Sequence, residues 1–444
     1  MMTTRGFAVL FACTALPGAA ALGQSRQIPA PPQSRPVILM SATVHTVTGP
    51  TIEDGYVIFD DGIILDVGRG TPPAVPRAET VNAEGLHVYP GLISTDTTLG
   101  LVETGSVAMT RDFSELGDVT PEVRAAVAVN PDSDLIPVAR ANGILTAMVF
   151  PRGGLVAGRG SVIRLDGWTW EQMTIVPSAG VVISWPRTEP DLRDVRWRKS
   201  TPEKEQRTKI EENLRRIDDL FDDAADYIKA VGADPAQKTD LRFEALREAL
   251  AGRERIFVRA SSQGQIESAV AWAARREFDI VIVGGREADR AAALLREHDV
   301  PVMIGGLHSL PGHRDDPYDG PFTLPARLYE AGVRFAIASG SGAAHERNLN
   351  HNAATAVAFG LPQDQALKAI TAAAAEIIGI GSTHGAIEVG KAATLIVTTG
   401  DPLQITTDTL MAYIDGRRID LGNRHKALYE KYREKYRQLG LLPE

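Results

Sequence analysis

Apolar positions along the chain fall into two styles. Between residues 37 and 90, short β-branched runs are separated by turns: VILMSATVHTV, TIEDGYVIFDDGIILDVG and LHVYP. Asp54-Gly55 and Asp61-Gly62 are strong turn pairs, and the second lies between two apolar runs, as a hairpin requires. The same style returns in GAIEVGKAATLIVTTGDP (385–402) and LMAYIDGRRI (410–419), where Asp415-Gly416 is a further turn. Either β-rich piece alone would expose an unpaired apolar face. Together they predict one small discontinuous β-sandwich domain, 37–89 plus 385–422, built from N- and C-terminal segments.

The middle of the chain alternates apolar runs with helical stretches. The runs are VYPGLIST (88–95), ILTAMVFP (144–151), SVIRL (161–165), VVISW (181–185), RIFVRAS (255–261), DIVIVGG (279–285), VPVMIGG (300–306) and VRFAIASG (333–340). Runs without polar alternation suit parallel strands buried on both faces. Eight of them are what a (β/α)8 barrel needs, so residues 90–384 are expected to form a TIM-like α/β barrel. An open doubly wound sheet is the alternative. Within 201–250, Ile210, Leu214, Ile217, Leu220 and Phe221 share a helical face, as in a solvated barrel helix. In the C-terminal segment 423–444, Leu428, Tyr432, Tyr436 and Leu439 form one stripe, which predicts a helix docked on the body.

Composition narrows the chemistry. The chain has 444 residues, 44% of them apolar and 23% charged, which excludes disorder and collagen-like structure. Lys+Arg 47 against Asp+Glu 56 leaves a net charge of −9, so no nucleic-acid partner is expected. A small soluble ligand or a protein partner fits better. The single cysteine, Cys13, excludes disulfide frameworks, zinc fingers and iron–sulfur clusters, so any metal site must use imidazole and carboxylate. Arg5, the apolar run 7–22, and Ala21 and Gly23 before Gln24 form the pattern of a secretory signal peptide over 1–23. A proline-rich linker follows over 24–36. The expected location is therefore periplasmic or extracellular, with no membrane span in the mature chain.

The glycines of PRGGLVAGRGS (151–161) precede a strand instead of opening a helix, so they predict tight turns near the barrel mouth and no phosphate loop. Trp168, Trp170, Trp185 and Trp197 are expected in the core.

These pieces together resemble the amidohydrolase superfamily, and within it the imidazolonepropionase-like branch. The resemblance runs over nearly the whole mature chain and rests on PGLIST (90–95), PARLYEAGVRFAIASG (325–340), ALKAITAAAAEIIGI (366–380) and GAIEVGKAATLIVTTGDPL (385–403). It implies a hydrolase of non-peptide C–N bonds with metal ligands at strand ends. These are a His-x-His pair after the first strand, histidines after the fifth and sixth, and an Asp after the eighth. Such an ion lowers the pKa of bound water from about 15.7 to about 7, worth roughly 12 kcal/mol of hydroxide availability.

The matching positions do not carry those ligands. Asp96 and Thr98 stand in place of the His-x-His pair, Arg259 and Ser261 follow the fifth strand, Gly284-Gly285 end the sixth, and Gly340 takes the place of the Asp. No histidine occurs between His87 and His298, so a shift of register cannot restore the set. No cofactor is expected. Asp96 and Arg259 are expected to pair where metal and ligands normally meet, with Arg259, Ser261, Thr98 and Ser341 around a small carboxylate or amide ligand.

Two functional readings follow. The first is a pseudoenzyme that has lost the metal site and serves as a binding or assembly partner, as a homo-oligomer or beside a related active subunit. The second is a divergent hydrolase of cyclic amides. It would use His345 with Asp96, Ser339 or Ser341 as nucleophile beside His345, or zinc held by His308 and His313 in the loop after the seventh strand.

Overall fold

A computed structural model describes residues 25, 27–193, 200–234, 236–313, 315–340 and 342–442. The expected signal peptide, Cys13, Trp197 and Ser341 lie outside the described residues.

In chain order the strands are β1 (Val37–His45), β2 (Thr51–Asp60), β3 (Ile63–Arg69), β4 (Glu79–Asn82), β5 (His87–Pro90), β6 (Leu92–Thr97), β7 (Ile144–Val149), β8 (Val156–Arg164), β9 (Thr174–Ser184), β10 (Arg255–Ala260), β11 (Ile280–Gly284), β12 (Val302–Ile304), β13 (Phe335–Ile337), β14 (Leu395–Thr398), β15 (Thr409–Ile414) and β16 (Arg417–Arg418). The helices are α1 (Leu135–Arg140), α2 (Trp170–Met173), α3 (Glu203–Ala233), α4 (Leu241–Glu244), α5 (Arg247–Leu250), α6 (Gln263–Arg276), α7 (Ala292–Glu297), α8 (Gly320–Glu330), α9 (Leu349–Ala358), α10 (Gln363–Ala369), α11 (Ala372–Ile377) and α12 (Arg424–Gln438).

The first sheet takes strands from both ends of the chain in the order β16-β15-β14-β5-β1-β2-β3, with β4 added beside β1. Asp61 and Gly62 both adopt positive φ, 47° and 79°, which joins β2 to β3 through the twist-matched turn expected of an Asp-Gly pair. The β3 edge then folds back toward the start of β14: Ile64 N donates to Lys391 O at 2.9 Å and Ala393 N to Gly62 O at 2.8 Å. The curled sheet encloses its own core of Leu39, Val44, Val57, Phe59, Ile64, Val88 and Leu395.

The second sheet holds all eight expected barrel segments, in the chain order β6 to β13. It is a nearly closed barrel. At the seam, Ile93 N donates to Ile370 O at 2.9 Å, so the link between α10 and α11 meets β6 where a β13 partner would complete the ring. One feature departs from an all-parallel barrel: β8 runs antiparallel to both β7 and β9. The cause is loop length. Only residues 150–155 connect β7 to β8, whereas a parallel crossover needs about a dozen. Gly153 and Gly154, at φ 96° and 66°, make this turn, as expected. Gly158 and Gly160 instead lie inside β8, where a Cβ on Gly158 would come within 2.8 Å of Val123 O.

Side chains alternate across the barrel wall with the two-residue period of strands. Phe257, Val281, Val283, Met303 and Ala336 point into the lumen with Ile93, Met148, Val162 and Val182, and Ile377 and Ile378 close one end. Ile256, Val258, Ile282, Ile304 and Ile337 point outward under the helices. The α3 face meets this layer: Ile217 and Phe221 are buried, and Phe221 packs edge-on against Trp272 of α6 at 5.3 Å. Of the tryptophans, Trp185 is buried against Trp272, Trp170 is half-buried, and Trp168 is exposed, contrary to the core placement expected for it.

The C-terminal helix forms, but its stripe is not docked. Leu428, Tyr432 and Tyr436 are exposed, and α12 buries none of its residues. Its start is held by Asn423, whose side chain accepts from His425 N and Lys426 N.

Candidate functional site

Strand parity sends Arg259 into the barrel. Phe257 faces the lumen, so the residue two positions on faces the same way, at the C-terminal end of β10 where the mouth opens. Asp96 comes from β6, whose pairing with β7 slips between Ser94 and Thr97; such an irregularity re-aims side chains. Arg152 comes from the short turn between β7 and β8.

The three meet. Arg259 donates to Asp96 through two nitrogens, Nη2 to Oδ1 at 2.7 Å and Nη1 to Oδ2 at 3.2 Å. Arg152 Nη2 adds a bond to Asp96 Oδ1 at 3.2 Å. The guanidinium of Arg259 also lies over the Phe150 ring, 5.2 Å from its centre. Burial of Asp96 opposes its ionisation, but Arg259 and Arg152 outweigh that and hold the carboxyl below its ordinary value.

Glu346 lies beneath this cluster. It is buried, it accepts from Ser94 Oγ at 2.5 Å, and burial pushes its carboxyl above the ordinary value, with Asp96 adding in the same direction. Neither Glu346 nor Arg152 was among the residues expected at the site. Glu346 sits in the turn Ala343–Asn348 directly after His345, and in that turn Glu346 points inward while His345 is exposed. Thr98 is buried beside Asp96 in sequence, and Ser261 is exposed at the end of β10, where its backbone N–H donates to Gln265 Oε1 at 3.2 Å.

The donor set at the mouth does not fit the family's metal. Two guanidiniums occupy the Asp96 carboxylate, and a guanidinium repels a cation. Gly284 and Gly340 contribute no side chain, at φ 106° and 65°. A Cβ on Gly340 would stand 1.9 Å from Gly306 N, so the backbone has closed over the position where an Asp would project.

A different group sits on the rim. Among the described residues, Glu287, His313 and Asp316 offer ligand atoms that all lie within 4.8 Å of one another. His313 Nε2 is 3.0 Å from Glu287 Oε1. This alters the histidine pair expected in the loop after β12: His308 turns away and bonds Thr355 Oγ1 at 2.8 Å. Arg290 already bridges Glu287 at 3.1 Å and Asp316 at 2.8 Å, supplying the cation between the two carboxylates.

A sequence profile described as the amidohydrolase family matches residues 321–420. The solved structure of an amidohydrolase from Thermotoga maritima MSB8 superposes with a TM-score of 0.76 at 26% identity, covering 86% of this chain and 99% of that one. Residues 321–420 thus match the amidohydrolase family, and the fold over most of the chain is similar to that of a solved amidohydrolase. Among curated proteins, Amidohydrolase tasK of Hapsidospora irregularis is 24% identical over 433 positions, covering 86% of this chain and 43% of that protein. The 5-methylthioadenosine/S-adenosylhomocysteine deaminase of Halalkalibacterium halodurans is 41% identical over 64 residues, 13% of this chain and 15% of that protein. The chain thus spans less than half the length of the curated relatives it matches. The fold is that of the solved neighbour, and the strand-end positions Thr98, Arg259, Gly284 and Gly340 carry threonine, arginine and glycine. No described helix is long and apolar enough to cross a membrane.

Proposed function

We propose that this chain is an exported, non-catalytic member of the amidohydrolase superfamily that acts as a binding or assembly partner of a related active subunit. The observation that carries the reading is the arginine pair on Asp96: two guanidinium charges, which would repel a divalent ion, converge on the carboxylate at the barrel mouth. The backbone closure at Gly340 supports it, because it removes the proton acceptor as well as the ligands. The exposed stripe on α12 supports the assembly part. Metal analysis of the purified protein tests the reading. Zinc and iron well below one per chain are expected, and about one tightly bound ion per chain overturns it.

The rim group of Glu287, His313 and Asp316 favours a second reading, a divergent hydrolase with a displaced metal. Under it, His313→Ala would abolish turnover of cyclic amides and His345→Ala would lower it. Unchanged absence of turnover in wild type and both variants leaves the first reading standing.

A further inference from the structure

The triad of Asp96, Arg152 and Arg259 carries one positive charge more than it balances. Asp96 contributes one negative charge, and Arg152 and Arg259 contribute two positive ones. Solvent reaches the cations and not the anion: the side chains of Arg152 and Arg259 are 36% and 20% exposed, that of Asp96 only 9%. Asp96 therefore draws the two guanidiniums together from below and leaves their outer edges open.

The partly exposed guanidiniums point to the same ligand chemistry. A guanidinium N–H only donates. Two guanidiniums with N–H groups beyond those given to Asp96, and one positive charge more than Asp96 balances, are complementary to a planar group that only accepts and carries one negative charge. Phosphate brings too much charge beside Asp96, and a neutral amide leaves the excess charge uncompensated.

We propose that the mouth of the barrel binds a small monocarboxylate, its carboxylate held on the outer edges of Arg152 and Arg259. This rests on the reading above that no metal occupies the mouth. Arg259 already gives both terminal nitrogens to Asp96, so the in-plane match to the carboxylate comes from the free donors of Arg152, with the remaining N–H groups of Arg259 beside it, and a lysine at 152 would not reproduce it.

Calorimetric titration of the full protein with N-acetylglycine, alongside acetamide and inorganic phosphate, tests the proposal, with metal content measured on the same sample. Saturable 1:1 binding of N-acetylglycine is expected, weakened at least about tenfold in Arg152→Gln, with acetamide and phosphate weaker than N-acetylglycine. No saturable binding, an unchanged affinity in Arg152→Gln, or phosphate or acetamide binding as tightly overturns it. Should Arg152→Gln fail to fold, Arg152→Lys decides, since it keeps the charge and loses the fork; several-fold weaker binding supports the proposal and equal binding overturns it. A metal-free sample that binds no N-acetylglycine defeats the carboxylate site alone, whereas a stoichiometric metal defeats the reading on which it rests.

Discussion

Arg259 meets Asp96 as a two-pronged fork, with Nη2 to Oδ1 at 2.7 Å and Nη1 to Oδ2 at 3.2 Å, and this pair sits at the mouth of the barrel. Replacing one partner strands the other in a buried place, which is more costly than replacing both. Arg259→Met should lower stability by about 3 kcal/mol, the lower end of the range for breaking a buried pair, because Arg152 still contacts the carboxylate. The double variant Arg259→Met/Asp96→Leu should lose less than the sum of the two single changes. Urea denaturation of the four proteins measures this, and strict additivity would show that the pair has no coupling.

Asp96 and Glu346 titrate in opposite directions although they share the site. The folded Asp96 lies below its ordinary value of 3.8, so its contribution is present above that pH and is lost as pH falls through the folded value. The folded Glu346 lies above its ordinary value of 4.5, so its contribution is complete below that pH and is lost as pH rises through the folded value. Glu346→Gln keeps the shape and removes the titration. It should gain stability relative to wild type as pH rises from 4.5 toward neutrality, whereas Asp96→Asn should show its deficit at neutral pH and recover it in strong acid. Thermal unfolding across pH follows both, and parallel wild-type and Glu346→Gln curves would refute the assignment.

The eight barrel segments were legible because parallel strands buried on both faces leave uninterrupted apolar runs, and β10 to β13 are of this kind. The reversal of β8 was also within reach, since six residues between β7 and β8 cannot make a parallel crossover, but an apolar run alone carries no direction. Asp96 and Arg259 could be anticipated because both sit at strand ends; the parity of β10 sends Arg259 inward, whereas the slip in β6 that re-aims Asp96 leaves no mark in the sequence. Arg152 and Glu346 could not. One lies in a glycine turn and the other in a short helical turn, and their approach to Asp96 is fixed by contacts 56 residues away for Arg152 and, between Glu346 and Ser94, 252 residues away. The exposed stripe of α12 shows the opposite failure: amphipathic spacing predicts a face, not whether this chain covers it.

The rim group makes a separate claim about metal. Because Arg290 already lies between Glu287 and Asp316, chelator treatment should leave the melting temperature unchanged, and added zinc should not raise it. A zinc-dependent rise that disappears in His313→Ala would place an ion there, and Arg290→Ala should then strengthen it by removing the competing charge. Differential scanning fluorimetry with and without chelator is sufficient.

The N-terminal segment is joined to the barrel through another buried carboxylate. Asp166 accepts from Arg140 Nη1 at 2.7 Å, Arg417 Nη1 at 3.0 Å and Ala30 N at 3.1 Å, so one side chain ties the segment before β1 to α1, the end of β8 and β16. Asp166 is 3% exposed and Arg140 4%, so removing the carboxylate leaves two guanidiniums and an amide without a shared acceptor. Asp166→Ala should cost about 3–5 kcal/mol. The exposed pair Lys229 and Asp226, both 78% exposed, gives the contrast: Asp226→Ala should change stability by no more than about 0.5 kcal/mol. The loss at Asp166 should also free the residues around Ala30, so limited proteolysis near 27–36 should accelerate in Asp166→Ala and not in Asp226→Ala. Equal cleavage rates with a large loss of stability would mean that Asp166 supports the barrel alone and does not hold the N-terminal segment.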